Sequence, residues 1–356
     1  MNIHQLLELT VARKASDLHL VVGYPPTLRI NGELVEVAGS VLLDDNEMGN
    51  LISPLLTQTQ KQTFEKDLEL DFAINLQNQA RFRVNIFQER GHLTASLRLI
   101  PLIIPELSNL GLPPAVEKFA DLKQGLILIT GPTGHGKSTT LAALINKINQ
   151  TRNAHILTVE DPIEYIYPKA KGLISQRELL VDTKAWPNAL RAALREDPDV
   201  VLVGEMRDLE TIMATLTIAE TGHLVFATLH TNSAAQTVDR IIDVFPEQQQ
   251  SQVRLQLASV IEAVVSQRLI PTIKPGRALA VELLISTPAL ASIIRDGKTH
   301  LIDNLIQTSA ELGMVSLERS LVSLVKNGSI SFEMAQSYSL RPDLLAKLLT
   351  EAERGR

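Results

Sequence analysis

Residues 125–139 read Gly-Leu-Ile-Leu-Ile-Thr-Gly-Pro-Thr-Gly-His-Gly-Lys-Ser-Thr, and the reading of the chain starts there. Leu126 to Ile129 is a brief apolar, partly β-branched run stopped by glycine, which predicts a buried strand. Gly131, Gly136, Lys137 and Ser138 then satisfy the spacing G-x-x-x-x-G-K-[ST], and Thr139 to Ile145 continues as a helix-compatible segment. Phosphate binding asks for this order of strand, loop and helix. The glycines let backbone N–H groups curl around an anion with no Cβ in the way. Lys137 offers a cation to the β and γ phosphates, Ser138 a hydroxyl to Mg2+, and the helix start its positive end. Gly131, Pro132, Thr133, Gly134, His135, Gly136, Lys137, Ser138, Thr139 and Thr140 are therefore expected to hold a nucleoside triphosphate.

A length of 356 residues predicts two domains at roughly 150 residues each. Hydrophobic residues make up 45% of the chain, which excludes a largely disordered protein. Aromatics are only 4%, so the cores are expected to be Leu, Ile, Val and Ala. With no cysteine there is no disulfide and no cysteine-ligated zinc or iron–sulfur site. Met1 to Gln5 lacks the start of a signal peptide, and no apolar run nears the ~18 residues of a membrane span. A cytoplasmic protein is expected. The net charge of −6 argues against a nucleic-acid partner.

Along the chain, residues 2–14 predict a helix and Ala15-Ser-Asp-Leu-His-Leu20 alternates. Thr27–Ile30 and Glu33–Val37 predict strands joined at Asn31-Gly32, a strong hairpin signal. Residues 44–65 are expected to be helical. Asp71–Ile74, Arg81–Phe87 and Leu93–Leu99 predict further strands, with a turn at Arg90-Gly91. Residues 1–100 thus predict a small α+β domain with a mostly antiparallel sheet. Proline-containing residues 101–110 are the expected linker, with a hinge between Ile100 and Ser108. Strands then alternate with helices, the pattern of a parallel α/β sheet, over 111–286. Its expected strands are 126–130, 155–159, 200–204, 224–228 and 279–285; helices are expected at 138–149, 184–195, 207–221, 234–242 and 247–266. Residues 287–356 predict a helical segment divided at Asn327-Gly328.

Glu160, Asp161 and Glu164 crowd three carboxylates just after a strand, a repulsion that a cation or a proton relieves. Beside a nucleotide they could hold metal-bound water or orient the attacking one; the bland alternative is a solvated acidic loop. Val200 to Glu205 is an apolar strand ending in an acid, as a Walker B element does, and this places Glu205 facing Mg2+ beside Ser138. Thr221 to His230 is a strand with His223 and His230 at its ends. Without a third clustered histidine or a cysteine, this pair does not make a zinc site. Arg81 and Arg83 share a face by the two-residue period, with Arg90 and Arg98 on or beside the neighbouring strand. They form either a solvated basic face or arginine fingers for a triphosphate.

In these stretches the chain resembles the type IV pilus retraction (PilT-like, twitching motility) ATPases of the secretion ATPase superfamily. The resemblance runs through Ala15–Leu20, Gly23 with Pro25-Pro26, Arg81–Asn85, the P-loop, an acidic box Glu160–Glu164, Arg195–Thr211 and a histidine box Thr221–Asn232. It implies a RecA-like ATPase domain behind a PAS-like N-terminal domain. It further implies a homohexamer that hydrolyses ATP to retract pili, working with an inner-membrane platform protein at the cytoplasmic face, with peripheral membrane association only. Glu164 is implied as the residue polarising water, Glu205 as the Walker B acid, and His230 with His223 as sensors. Arg83 and Arg98 are implied as fingers, with Arg81 the third candidate. Mg2+ is expected on Ser138, with Glu160 and Glu205 reaching it through water. Two positions depart from the family. His135 replaces a usual serine, and a charged ring there would make nucleotide affinity pH-dependent. Ala289–Asp296 is a degenerate form of a motif tied to retraction rather than hydrolysis, so retraction is less firmly implied than ATPase activity; an auxiliary retraction motor, an assembly or secretion ATPase, and a non-hydrolysing ring stand as alternatives.

Overall fold

The computed structural model describes residues 1–354 apart from Asn31, residues 77–79 and residues 101–102. The expected turn residue Asn31, and Pro101 and Leu102 of the expected linker, lie outside the described residues. The chain divides into two compact units, one comprising Met1–Ile103 and Pro162–Ile166, the other Ile104–Asp161 and Tyr167–Arg356.

The first unit carries α1 (Ile3–Ala12), α2 (Asp45–Ile52), α3 (Gln58–Asp67) and strands β1 (Asp17–Leu20), β2 (Thr27–Ile30), β3 (Glu33–Glu36), β4 (Glu69–Leu76), β5 (Ala80–Glu89) and β6 (His92–Ile100). The strands form one antiparallel sheet in the order β3-β2-β1-β6-β5-β4. Alternation along β5 buries Phe82, Val84 and Ile86 against Leu6 and Leu7 of α1 and Met48 and Ile52 of α2. The expected single helix over 44–65 is two helices, because Pro54 cannot continue the first. Thr57 restarts the chain with a capping box to Gln60.

The second unit holds the remaining strands: β7 (Gly125–Thr130), β8 (His155–Glu160), β9 (Leu173–Glu178), β10 (Val200–Val203), β11 (Leu224–Leu229), β12 (Ile261–Pro271) and β13 (Arg277–Ile285). Their order is β13-β12-β7-β11-β10-β8-β9, parallel from β12 to β9. Its helices are α4 (Lys137–Thr151), α5 (Trp186–Ala193), α6 (Leu209–Glu220), α7 (Ala234–Asp243), α8 (Glu247–Val260), α9 (Pro288–Arg295), α10 (Ile302–Thr308), α11 (Leu317–Lys326), α12 (Phe332–Tyr338) and α13 (Pro342–Arg354). Every residue of β7, β10 and β11 is buried, as expected of parallel strands covered on both faces. On one face α4 packs over Ile127, Ile129 and Phe226; on the other, α5 to α10 pack over Leu128, Val201 and Val225. The last three helices gather around Ile270, Ala280, Leu321 and Leu345.

Two expectations are corrected. The helix expected over 247–266 stops at Val260, and Ile261 begins β12, which pairs with β7 through Ala263–Ser266. A Val-rich apolar run fits either period, and burial between two strands decides it. Residues 279–285 do form a strand, but β13 returns antiparallel to β12, so the sheet is mixed rather than parallel. The polar strand β9 had no apolar signal to mark it.

Candidate nucleotide site

Because β7, β8, β10 and β11 are parallel, their carboxyl ends open at one edge of the sheet, where such sheets bind ligands. The loop leaving β7 is shaped by β12. Gly131 has φ +135°, and a Cβ there would collide with the carbonyl oxygen of Gln267. Gly136, at φ +87°, is the N-cap of α4. Thr130 and Ser266 hydroxyls lie 2.8 Å apart, and the Gln267 amide donates to Thr140 Oγ1 at 2.8 Å. The Leu269 N–H donates to His135 Nδ1 at 3.0 Å. Three residues of one strand thus hold the loop before, within and after its turn.

Within the loop, Lys137 Nζ donates to the carbonyls of Gly131 and Pro132 at 2.8 and 3.0 Å, which keeps the ammonium over the loop. Ser138 and Thr139 stand half-buried in the first turn of α4, whereas the Thr140 hydroxyl is turned to Gln267. Since His135 Nδ1 is an acceptor, the ring is neutral there. Burial, reinforced by the cations Arg268, Lys137 and Arg277, holds it below its ordinary value. This corrects the expectation of a charged ring aimed at phosphate: Nδ1 is committed to β12.

Beside the loop, His230 Nδ1 lies 3.3 Å from Thr133 Oγ1 and its Nε2 lies 3.4 Å from Glu205 Oε1. A carboxylate only accepts, so Nε2 carries the proton and the Thr133 hydroxyl donates to Nδ1. Arg207 Nη2 reaches Glu205 Oε2 at 2.8 Å. Burial pushes the Glu205 carboxyl up, but the Arg207 hydrogen bond, with His230 and Lys137 near, outweighs it and holds the group below the usual carboxylate range. Glu160 ends β8 and accepts from Thr158 Oγ1 at 2.7 Å and Gln176 Nε2 at 3.2 Å.

One expected residue of this unit does not gather here. His223 precedes β11 while His230 follows it, about 20 Å away at strand rise. Its Nδ1 donates to the Ile218 carbonyl at 3.0 Å, which ties down the turn after α6. In the first unit, Glu164 is half-buried in the segment Pro162–Ile166, and Arg81 Nε donates to the Ile163 carbonyl at 2.9 Å. Arg83 and Arg98 stand directly opposite one another across β5 and β6. Each has a carboxylate: Arg83 lies 3.7 Å from Asp71, and Arg98 Nε donates to Asp17 at 2.9 Å. Sequence reasoning missed Gln267 and Leu269, because the helix expected over 247–266 took the start of β12 and no strand was expected beyond it, and Arg207, whose role as a clamp on Glu205 depends on its rotamer.

Backbone donors, an ammonium and hydroxyls converge where phosphate would sit, and an acid and a histidine share the next strand ends. That combination of fold and chemistry defines the class of P-loop ATPases. The chain belongs to the family described as Type II/IV secretion system protein, which it matches over residues 1–326. It is 45% identical to the type IV pilus retractation ATPase PilT of Pseudomonas aeruginosa, over 96% of this chain and 99% of that one. It is 38% identical to the type IV pilus ATPase PilU of the same organism, over 95% of this chain and 89% of that one. Among solved structures, it is similar to the pilus retraction motor PilT with bound ADP, at a TM-score of 0.90 and 44% identity, covering 98% of this chain and 99% of that one.

Proposed function

We propose that this chain is a hexameric motor that hydrolyses ATP to retract type IV pili. The similarity to a retraction ATPase along nearly the full length of both chains carries this reading. Lys137, Ser138, Thr139 and the backbone of Gly131–Gly136 hold the phosphates. Glu205 is anionic at neutral pH and Glu164 is the carboxylate that polarises the attacking water. Arg83, Arg98 and Arg81 are the candidate fingers that neutralise transition-state charge. His230 touches both Thr133 of the loop and Glu205, so a change in phosphate contacts at the loop passes to the acid through one side chain. His223 belongs to the same sequence box but serves the far end of the strand.

Mg2+ fits this donor set. Among the described residues no group of three or more His, Asp or Glu could hold a metal alone. One hydroxyl, Ser138, with Glu205 and Glu160 acting through water, suits a hard cation that keeps its waters and is bound mainly by phosphate. When bound, it would neutralise charge on the phosphates. No helix among the described residues is long and apolar enough to cross a membrane. The likeness to a pilus retraction ATPase is what supports placing the motor at the cytoplasmic face of the inner membrane, attached through a platform protein. The degenerate Ala289–Asp296, which lies largely on α9, favours a second reading as an auxiliary retraction motor.

Phosphate release from Mg-ATP by the purified chain, with Lys137→Ala and Glu164→Ala and the mass in solution, tests the proposal. Release by a six-subunit particle, abolished in both variants, is expected. Nucleotide binding without wild-type release would replace the motor by a passive ring or a partner-dependent one.

A further inference from the structure

Behind the histidine box lies a buried ionic cluster to which the mechanism above gives no role. Glu282 of β13 is only 1% exposed, and its Oε1 accepts the N–H of Ala234, the first residue of α7, at 2.8 Å. A carboxylate at that point satisfies an end donor of the helix and meets its positive end. Its Oε2 lies 3.3 Å from Arg341 Nη2, just before α13. Arg341 also reaches Glu318 of α11 at 3.1 Å and Asp303 of α10 at 2.8 Å, while its own N–H donates to Glu318 Oε1 at 3.2 Å. Arg268 of β12 is the other cation near the cluster, and its guanidinium donates to the Tyr338 carbonyl at 3.0 Å. Three carboxylates face two guanidinium groups, and only Arg341 bonds all three acids.

What Glu282 holds leads directly to the site. Ser233 caps α7, Thr231 Oγ1 lies 2.6 Å from Thr237 Oγ1, and the Asn232 N–H donates to Gln236 Oε1 at 3.2 Å. His230, which touches Thr133 and Glu205, is the next residue back along the chain. The loop between the histidine and the helix is therefore tied to the first turn of α7, and that turn is tied to Glu282.

We propose that Glu282 is a positioning residue for hydrolysis, holding the His230 loop through the start of α7, and that Arg341 keeps it charged, so that the carboxy-terminal helices govern turnover from behind the site. This rests on the chain being an ATPase that uses His230. Burial, opposed by the Ala234 bond and by Arg341 and assisted by Asp303 and Glu318, brings the Glu282 carboxyl up to about 6, close enough to neutrality for its charge to be titrated.

The test is steady-state phosphate release by the full chain between pH 5 and 8, for wild type, Glu282→Gln, Arg341→Ala and Arg341→Lys. It is paired with amide hydrogen exchange of peptides spanning 230–238 and 125–140. Glu282→Gln is expected to lower kcat about tenfold at pH 7.5, the equivalent of one charge-assisted hydrogen bond, with KM for ATP within about twofold. Wild-type kcat should fall on acidification through about 6, the Gln variant should lack that limb, and Arg341→Ala should move it to higher pH. Arg341→Lys should restore the wild-type limb, and it stands in should the alanine variant not fold. Exchange should quicken in 230–238 and stay unchanged in 125–140. A Glu282→Gln protein with wild-type kcat and the same acidic limb, or with unaltered exchange in 230–238, overturns the proposal. Should the wild type bind nucleotide without releasing phosphate, the hydrolytic reading fails by itself. The exchange arm then decides: faster exchange in 230–238 sustains the coupling, and unaltered exchange refutes it.

Discussion

Replacing His135 by serine removes the acceptor on which the Leu269 amide rests. The serine hydroxyl ends one bond short of Nδ1, so the bond is not remade. The 3.0 Å contact is part-buried, and its net worth is about 1 kcal/mol, rising toward ~2 kcal/mol if the amide finds no water. In a unit of this size, 1 kcal/mol corresponds to a fall of roughly 2–4 °C in Tm. The pH dependence has a definite sign. Burial and the neighbouring cations hold the folded ring below its ordinary value of 6.5, so the fold favours the neutral form. Its stabilisation is fully present above pH 6.5 and drains away as pH falls toward the lowered folded value. The difference in Tm between wild type and His135→Ser should therefore be widest near pH 7.5 and shrink on acidification. Nucleotide affinity, measured with a fluorescent analogue at pH 6 and 8, should respond to pH alike in both proteins. A stability gap that grows as pH falls, or a wild type that alone tightens its grip on nucleotide at pH 6, would refute the assignment of Nδ1 as an acceptor.

Gly131→Ala combines a positive φ with a collision against a backbone carbonyl, so a loss of about 2–4 kcal/mol is expected, together with weakened nucleotide binding; calorimetry showing wild-type Tm would count against the close approach of β12. Arg83→Ala removes only a loose, exposed pair with Asp71, worth less than about 1 kcal/mol, so Tm should hardly move. If Arg83 serves as a finger, kcat should nevertheless fall by about two orders of magnitude or more, and unchanged kcat removes it from that role. The Glu282 carboxyl, raised from 4.5 to about 6, binds its proton more tightly in the folded state. Its stabilisation is present below pH 4.5 and lost as pH rises through about 6, a change of about 2 kcal/mol that Glu282→Gln should erase from the pH profile of unfolding.

The nucleotide loop was legible because its chemistry is local: glycines, lysine and serine at fixed spacing need no distant partner to be recognised. The buried strands beside it were legible for a similar reason, since four to six consecutive apolar residues bounded by polar ones fit little else. Reading failed where a long-range partner decides. Ala263-Val-Val265 is a strand only because β7 and β13 flank it, and Gln267, Leu269 and Glu282 acquire their roles from neighbours far along the chain. The arginines show the middle case. Their shared face was evident from the two-residue period, but Asp71 and Asp17 as partners, and the Ile163 carbonyl for Arg81, belong to the folded sheet. His223 and His230 look equivalent in the sequence, and a strand's length separates them.

The backing of the loop by β12 has a consequence for synthesis. His135 and Leu269 are 134 residues apart, and Thr130 and Ser266 are 136 apart. At about 5–20 residues per second, the motif leaves the ribosome roughly 7–27 s before the strand that shapes it. During that interval the nascent chain carries the full set of phosphate-binding residues without the template that bends them, and β7 has neither sheet neighbour until β11 emerges and only one until β12 follows. The edge of β7 that β12 covers is the later of its two edges to be paired, and so the place where a chaperone would find this protein while it is being made.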